Sequence, residues 1–208
     1  EATALKVKLH TIANSSLKKY FECDKFITAS EFRSSLILVD NNKRAQIINF
    51  VLEDVDDRFA KALVKIYSRI IFMFMKGLPT RGSMPVHLML EEAHRYVQND
   101  NDINILGYNI FDRITKEGRK YGVMLGLISQ RPSELSETSL SQCSNFLIFK
   151  MLHPKDISYI QEMVPNITTE TVEKIRILQP GNCIAFGSAF KIPVLVKFEM
   201  PSPAPTSE

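Results

Sequence analysis

The sequence predicts an α/β protein built on a mostly parallel sheet covered on both faces by helices. Three observations carry that prediction. Short apolar runs of strand length alternate with amphipathic stretches of helical period along the chain. The run at residues 123 to 128 is nearly all apolar, as a strand buried on both faces should be. Val86-His87-Leu88-Met89-Leu90 leads straight into Glu91-Glu92, an acidic pair at the carboxyl end of a strand, where α/β folds gather their ligands.

Taken in order, residues 4 to 21 are expected to be helical, with Leu5, Leu9, Ile12, Leu17 and Tyr20 on approximate helical spacing. Residues 35 to 39 and 46 to 52 are apolar, β-branched runs separated by the turn signal Asp40-Asn41-Asn42-Lys43. A long helix begins near Asp56 or Asp57, because a short carboxylate accepts from the open N–H groups of a first turn. Phe59, Leu63, Ile66, Ile70 and Phe74 give it a core stripe, and Gly77 with Pro79 ends it. The acidic strand follows at residues 86 to 91. A polar loop from Gln98 to Asp102 leads to a second amphipathic helix marked by Ile105, Leu106, Ile110, Phe111 and Ile114. After Gly118-Arg119-Lys120-Tyr121-Gly122 comes the strand at 123 to 128, then Ser129-Gln130-Arg131-Pro132. A short strand at 146 to 149, helices around 155 to 163 and 169 to 177, and strands at 182 to 186 and 194 to 198 complete the pattern. Residues 1 to 200 are expected to form one domain or most of one, and residues 201 to 208 a flexible Pro-rich tail.

At 208 residues and 45% hydrophobic content the chain can bury an ordinary core. Its 26 basic and 23 acidic residues leave a formal charge of +3, too mild to point to nucleic acid by itself. Cys23, Cys143 and Cys183 are odd in number and far apart. That spacing argues against a disulfide framework or a zinc knuckle and fits a reducing compartment. No apolar run approaches the roughly 20 residues that span a bilayer, and the first residues lack a secretory hydrophobic core. A soluble, cytoplasmic protein is expected.

Four constellations bear on chemistry. Two carboxylates at a strand end can hold Mg²⁺, directly or through water, and activate a water beside a phosphate. Glu91 and Glu92 therefore form a Walker-B-like pattern pointing to nucleoside triphosphate hydrolysis, with Glu92 as base and Glu91 near the metal. The same pair also fits two solvated acids at a helix start, where the dipole favours them. Gln130, at the end of the next strand, has an amide that donates and accepts, suited to sensing a γ-phosphate or an attacking water. Ser, Arg and Pro around it equally make an ordinary turn. Adjacent parallel strands would bring Gln130 close to Glu92. Arg113, Arg119 and Lys120 supply cations that could neutralise a transferring phosphoryl group, including one in a neighbouring subunit; surface charge on a helix is the plainer alternative. Arg119 is favoured, because Gly118 before it would allow a helix exit that aims the side chain along the active edge of the sheet. His87, His94, His153 and the cysteines lack metal-ligand spacing, and a structural role is expected for each.

In order, Leu88-Met89-Leu90-Glu91-Glu92-Ala93-His94-Arg95-Tyr96, Glu117-Gly118-Arg119-Lys120-Tyr121-Gly122 and Ser129-Gln130-Arg131-Pro132-Ser133-Glu134-Leu135-Ser136 resemble the HerA ATPases, of the HerA/FtsK group of hexameric RecA-like DNA translocases. The resemblance continues through Leu140-Ser141-Gln142-Cys143-Ser144-Asn145 and Pro180-Gly181-Asn182-Cys183-Ile184-Ala185-Phe186-Gly187, covering roughly residues 34 to 198. It implies a RecA-like P-loop NTPase core using ATP and Mg²⁺, a homohexamer that pumps double-stranded DNA, and a nuclease or sirtuin-like effector partner. It further implies that Glu91 and Glu92 correspond to the Walker B acids, Gln130 to the polar sensor, and Arg119, or second Arg113, to a trans-acting arginine finger.

One departure stands out: these residues contain no G-x-x-x-x-G-K-[ST] phosphate loop and no N-terminal barrel. The expectation is the C-terminal part of a longer ATPase, unable by itself to bind ATP tightly or hydrolyse it. Two alternatives remain. A DEAH-type helicase shares Glu91-Glu92-Ala93-His94 but follows it with a Ser-Ala-Thr-like motif, not Ser-Gln-Arg-Pro. A non-catalytic module would keep only a ring interface and a partner-docking surface. Lys76 and Arg81 form a small basic patch, read as a solvated helix end, and the loop at 98 to 102 is acidic and a poor phosphate binder.

Overall fold

A computed structural model describes residues 2–15, 18–19, 25–28, 31, 38–39, 43–98, 108–164, 167–190 and 192–204. The chain divides into two units, Glu1–Val51 and Leu52–Glu208. The first holds α1 (Ala2–Ala13) and an antiparallel pair, β1 (Leu38–Val39) with β2 (Lys43–Arg44). Leu17 and Tyr20 of the expected helix lie outside the described residues, and Leu9 is 56% exposed rather than core. The second strand falls on Lys43–Arg44, starting at the last residue of the expected turn, while residues 47 to 51 are not strand. Ile47 and Val51 are exposed there. β-Branched composition favours a pleated strand only where another strand is present to pair with it.

The second unit begins with α2 (Asp57–Lys76). The Asp56 carboxylate starts it by accepting from the N–H groups of Arg58 at 3.1 Å and Phe59 at 3.3 Å. Its buried face is Ala60, Ser68, Phe72 and Met75, one step round from the expected stripe, and Ile66 is 52% exposed. β3 (Val86–Leu90) pairs in parallel with β4 (Val123–Leu127), from Val86 opposite Val123 to Leu90 opposite Leu127. Between them runs α3 (Ile110–Tyr121), capped by the Asn109 side chain, which accepts from Phe111 N–H at 2.9 Å. Ile105 and Leu106, expected in that helix, lie outside the described residues. Phe111, Ile114 and Val123 are buried, and Tyr121 meets Phe72 edge-on at 5.7 Å.

The rest is α4 (Glu137–Ser141), β5 (Asn145–Ile148), α5 (Pro154–Met163), α6 (Thr169–Arg176), β6 (Asn182–Gly187) and β7 (Val194–Lys197). β5, β6 and β7 form an antiparallel meander, with Phe146 stacked on Phe186 at 5.2 Å. The protein is thus α/β with a parallel pair and helices, and its closing strands run antiparallel. The short link between β6 and β7 leaves no room for the crossover a parallel pair requires. Val86, Leu88, Leu90, Leu125 and Leu127 face the core, whereas His87, Met89 and Met124 are exposed among the described residues. The second helical layer expected over that face is not found among them. No described helix is long and apolar enough to cross a membrane.

Candidate functional site

The parallel pair continues past its last paired residues. Ile128 N–H donates to Leu90 O at 2.9 Å, and Ala93 N–H donates to Ile128 O at 2.8 Å. These bonds hold the turn at residues 91 and 92 beside the segment from 128 to 130. Glu92 makes the turn in the left-handed region, φ 49° and ψ 43°, the one non-glycine residue with positive φ among those described. That conformation costs about 1–3 kcal/mol and persists only where its surroundings enforce it. A single helical turn, Ala93–Arg95, follows, with Ala93 fully buried as its pivot.

The turn aims the Glu92 carboxylate across the strand ends. Its Oε1 accepts from Gln130 Nε2 at 2.8 Å, so two side chains 38 positions apart share one hydrogen bond. Its Oε2 lies 3.2 Å from His94 Nδ1, and that nitrogen lies 3.2 Å from Ser129 Oγ. The Glu92 side chain remains 36% exposed, which leaves the carboxylate open to water. Glu91, beside it, is exposed. A carboxylate held by an amide and open to water can accept a proton; an exposed neighbour can attract a cation.

The Gln130 loop is braced from several sides. Ser129 Oγ accepts from Arg131 N–H at 3.0 Å, and Arg131 pairs with Glu134 at 3.1 Å. Buried Asp156 on α5 accepts from Ser133 N–H at 3.0 Å, and Tyr159 donates to Leu135 O at 3.3 Å. Ser136 N–H donates to Val97 O at 2.8 Å. The hydroxyls of Ser136 and Ser139, both fully buried, donate to Asp112 Oδ1 on α3 at 2.9 and 2.7 Å. Arg95 reaches back to Asp57 at the start of α2, whose carboxylate raises the guanidinium above its ordinary pKa. Sequence reading missed Asp112, Asp156 and the placement of His94, single polar residues that no period or motif marks.

The arginines fall elsewhere. Arg113 lies over the rings of Tyr108 at 4.8 Å and Phe72 at 5.6 Å and sits 3.6 Å from Glu117, so it is tied into packing rather than pointed at Glu92. Arg119 is exposed near the end of α3, which leads into the first residue of β4, whereas Gln130 follows its last. A five-residue strand, about 16 Å, separates the two ends. Arg119 is therefore not on the active edge of its own chain, contrary to the expectation. Gly118 does not make the helix exit either; Gly122 does, at φ 77°. Gly118 is needed for contact, since a Cβ there would come within 2.3 Å of Val123 O. Lys76, Arg81 and Lys120 surround the Tyr121 ring at 5.7, 5.8 and 5.7 Å, at the same end.

No family model matches the chain. It is 32% identical over 189 residues to the DNA double-strand break repair helicase HerA of Saccharolobus solfataricus, a match covering 88% of this chain and 37% of that protein. The chain belongs to the HerA-type ATPases. It spans between about a fifth and just over a third of the length of the relatives it matches. The HerA-type fold is also that of two solved proteins. The DNA-packaging ATPase of Sulfolobus turreted icosahedral virus superposes with a TM-score of 0.54 at 17% identity, over 89% of this chain and 77% of that one. VirB4 of Thermoanaerobacter pseudethanolicus gives 0.56 at 16% identity, over 73% and 40%.

The donor set of this candidate site fits a hard cation only with help. Glu91 and Glu92 offer carboxylate oxygens, yet no group of three metal-capable side chains exists among the described residues. Mg²⁺ suits such a place, because it keeps several waters and takes one or two carboxylates together with substrate phosphates. Burial pushes the thiols of Cys143 and Cys183 above their ordinary pKa, away from the reactive thiolate form. Cys23 lies outside the described residues.

Proposed function

We propose that this region is the hydrolytic half of an ATP-dependent DNA translocase or helicase subunit. The observation that carries the reading is the 2.8 Å bond between Gln130 and Glu92, at the carboxyl ends of adjacent parallel strands in a HerA-type chain. Glu92 is the base, taking the proton of the attacking water; Gln130 orients that water and reads the γ-phosphate. Glu91 would hold Mg²⁺, and the ion would neutralise phosphate charge when bound. Glu91 and Glu92 are thus the Walker B acids. The β- and γ-phosphates are left to a phosphate loop, a motif these residues do not contain.

In this reading the subunits form a homohexameric ring on double-stranded DNA, with a nuclease or sirtuin-like effector as partner. Arg119 reaches the nucleotide of a neighbouring subunit. Its place a strand length from Glu92 supports action between chains and not within one.

The test supplies the chain with an N-terminal half carrying a phosphate loop, by fusion or in trans, and follows phosphate release. The chain alone is expected to give none, and the assembly to hydrolyse ATP. Glu92→Gln should lower turnover by about 100-fold or more, the usual loss on removing a general base. Turnover that survives Glu92→Gln would sink the proposal.

A further inference from the structure

His94 sits inside the site, yet the chemistry above gives it no task. Its side chain is only 14% exposed, and Nδ1 lies 3.2 Å from Glu92 Oε2 and 3.2 Å from Ser129 Oγ. An ionised carboxylate only accepts hydrogen bonds, so the contact is attractive only if Nδ1 carries a proton. Ser129 Oγ accepts from Arg131 N–H at 3.0 Å and keeps a second lone pair. One Nδ1–H can therefore serve both acceptors, and the neutral ring is fixed in its Nδ1–H form, with Nε2 left as acceptor.

The consequence concerns the carboxylate. The last torsion of a glutamate side chain is broad, so a carboxylate held at one oxygen still swings. Here Oε1 is held by Gln130 and Oε2 faces His94. We propose that His94 is a positioning residue: its Nδ1–H, shared between Glu92 and Ser129, clamps the second oxygen of the base and ties it to the segment that carries Gln130. The inference rests on the role proposed for Glu92. It predicts a loss in the chemical step and not in nucleotide affinity, since His94 acts only through Glu92.

Two measurements test it. In the full chain labelled with nitrogen-15, at about pH 8, above the ordinary imidazole range, two-bond nitrogen–proton spectra read each histidine tautomer, and His94→Asn identifies the His94 signals. The Nδ1–H form is expected for His94, reverting to Nε2–H in Glu92→Leu; an Nε2–H ring in the unaltered chain overturns the proposal. In the ATP-hydrolysing assembly, His94→Leu keeps the bulk but donates nothing. It should lower kcat about 10- to 100-fold with KM for ATP unchanged. His94→Asn places an amide N–H where Nδ1 stood and should restore most of the loss. Full turnover in His94→Leu, or equal loss in both variants, rejects the role. Glu92→Gln is measured alongside. If it retains turnover, the catalytic reading itself falls; if it loses turnover while His94→Leu keeps it, only the part given to His94 falls.

Discussion

Glu92 accepts a backbone conformation that side chains rarely adopt, and the neighbours that enforce it are those that use it. The buried Ala93 behind it, the Gln130 amide and the His94 ring leave the carboxylate one direction to face. Strain of this kind concentrates where geometry matters more than stability. The acidic pair and Gln130 were legible in the sequence because strand ends collect chemistry; the left-handed turn was not, because nothing in Leu90-Glu91-Glu92-Ala93 demands it. The arginines separate at this scale too. Arg113 is packed over two rings, so Arg113→Ala should lower the melting temperature by several degrees, about 1–2 kcal/mol from lost stacking. Arg119→Ala, at an exposed site, should leave melting unchanged. Calorimetry of both variants decides it. Equal melting temperatures would mean that the Arg113 stacking contributes nothing.

Between elements, the segment after β4 works as a hub. Asp112 on α3 receives two buried hydroxyls, Asp156 on α5 receives Ser133 N–H, and Val97, just beyond the Glu92 turn, receives Ser136 N–H. The helix and strand periods in the sequence predicted these elements well from residue 56 onward, because a core stripe or an apolar run repeats over many residues. They carried no information on the hub, whose side-chain partners are single polar residues 23 to 27 positions apart. Residues 46 to 52 show the reverse failure: strong strand composition without strand pairing. Asp112→Ala would leave the buried Ser136 and Ser139 hydroxyls with no acceptor for their protons, although Ser136 Oγ would still accept from Ser139 N–H, at about 1–3 kcal/mol. The expected outcome is a clear drop in the urea midpoint, partly recovered by adding Ser139→Ala, which removes one stranded hydroxyl. No recovery in the double variant would show that Asp112 acts through something other than these serines.

The two ends of the parallel pair carry opposite equipment, and this shapes the whole molecule. The carboxyl end has the acids and the amide; the other end has Arg119 with Lys76, Arg81 and Lys120 gathered on Tyr121. Sequence order hid this, because Arg119 and Gln130 stand close in number while β4 runs between them. A cation at the opposite end of the strand from the acids of its own chain is poorly placed to stabilise charge there, but a ring that sets one end of a subunit against the other end of its neighbour would bring the two together. Mixing subunits tests this directly. On the roles proposed above, Glu92→Gln subunits would lack the base and Arg119→Ala subunits the finger, so each assembly alone should be inactive. In a mixed ring, the base of an Arg119→Ala subunit can face the intact Arg119 of a Glu92→Gln neighbour. About a quarter of the interfaces in an equal random mixture then regain both groups, and ATP hydrolysis should recover to a comparable fraction of the unaltered level if sites fire independently. Action within one chain allows no recovery at any ratio, because no subunit in the mixture carries both groups.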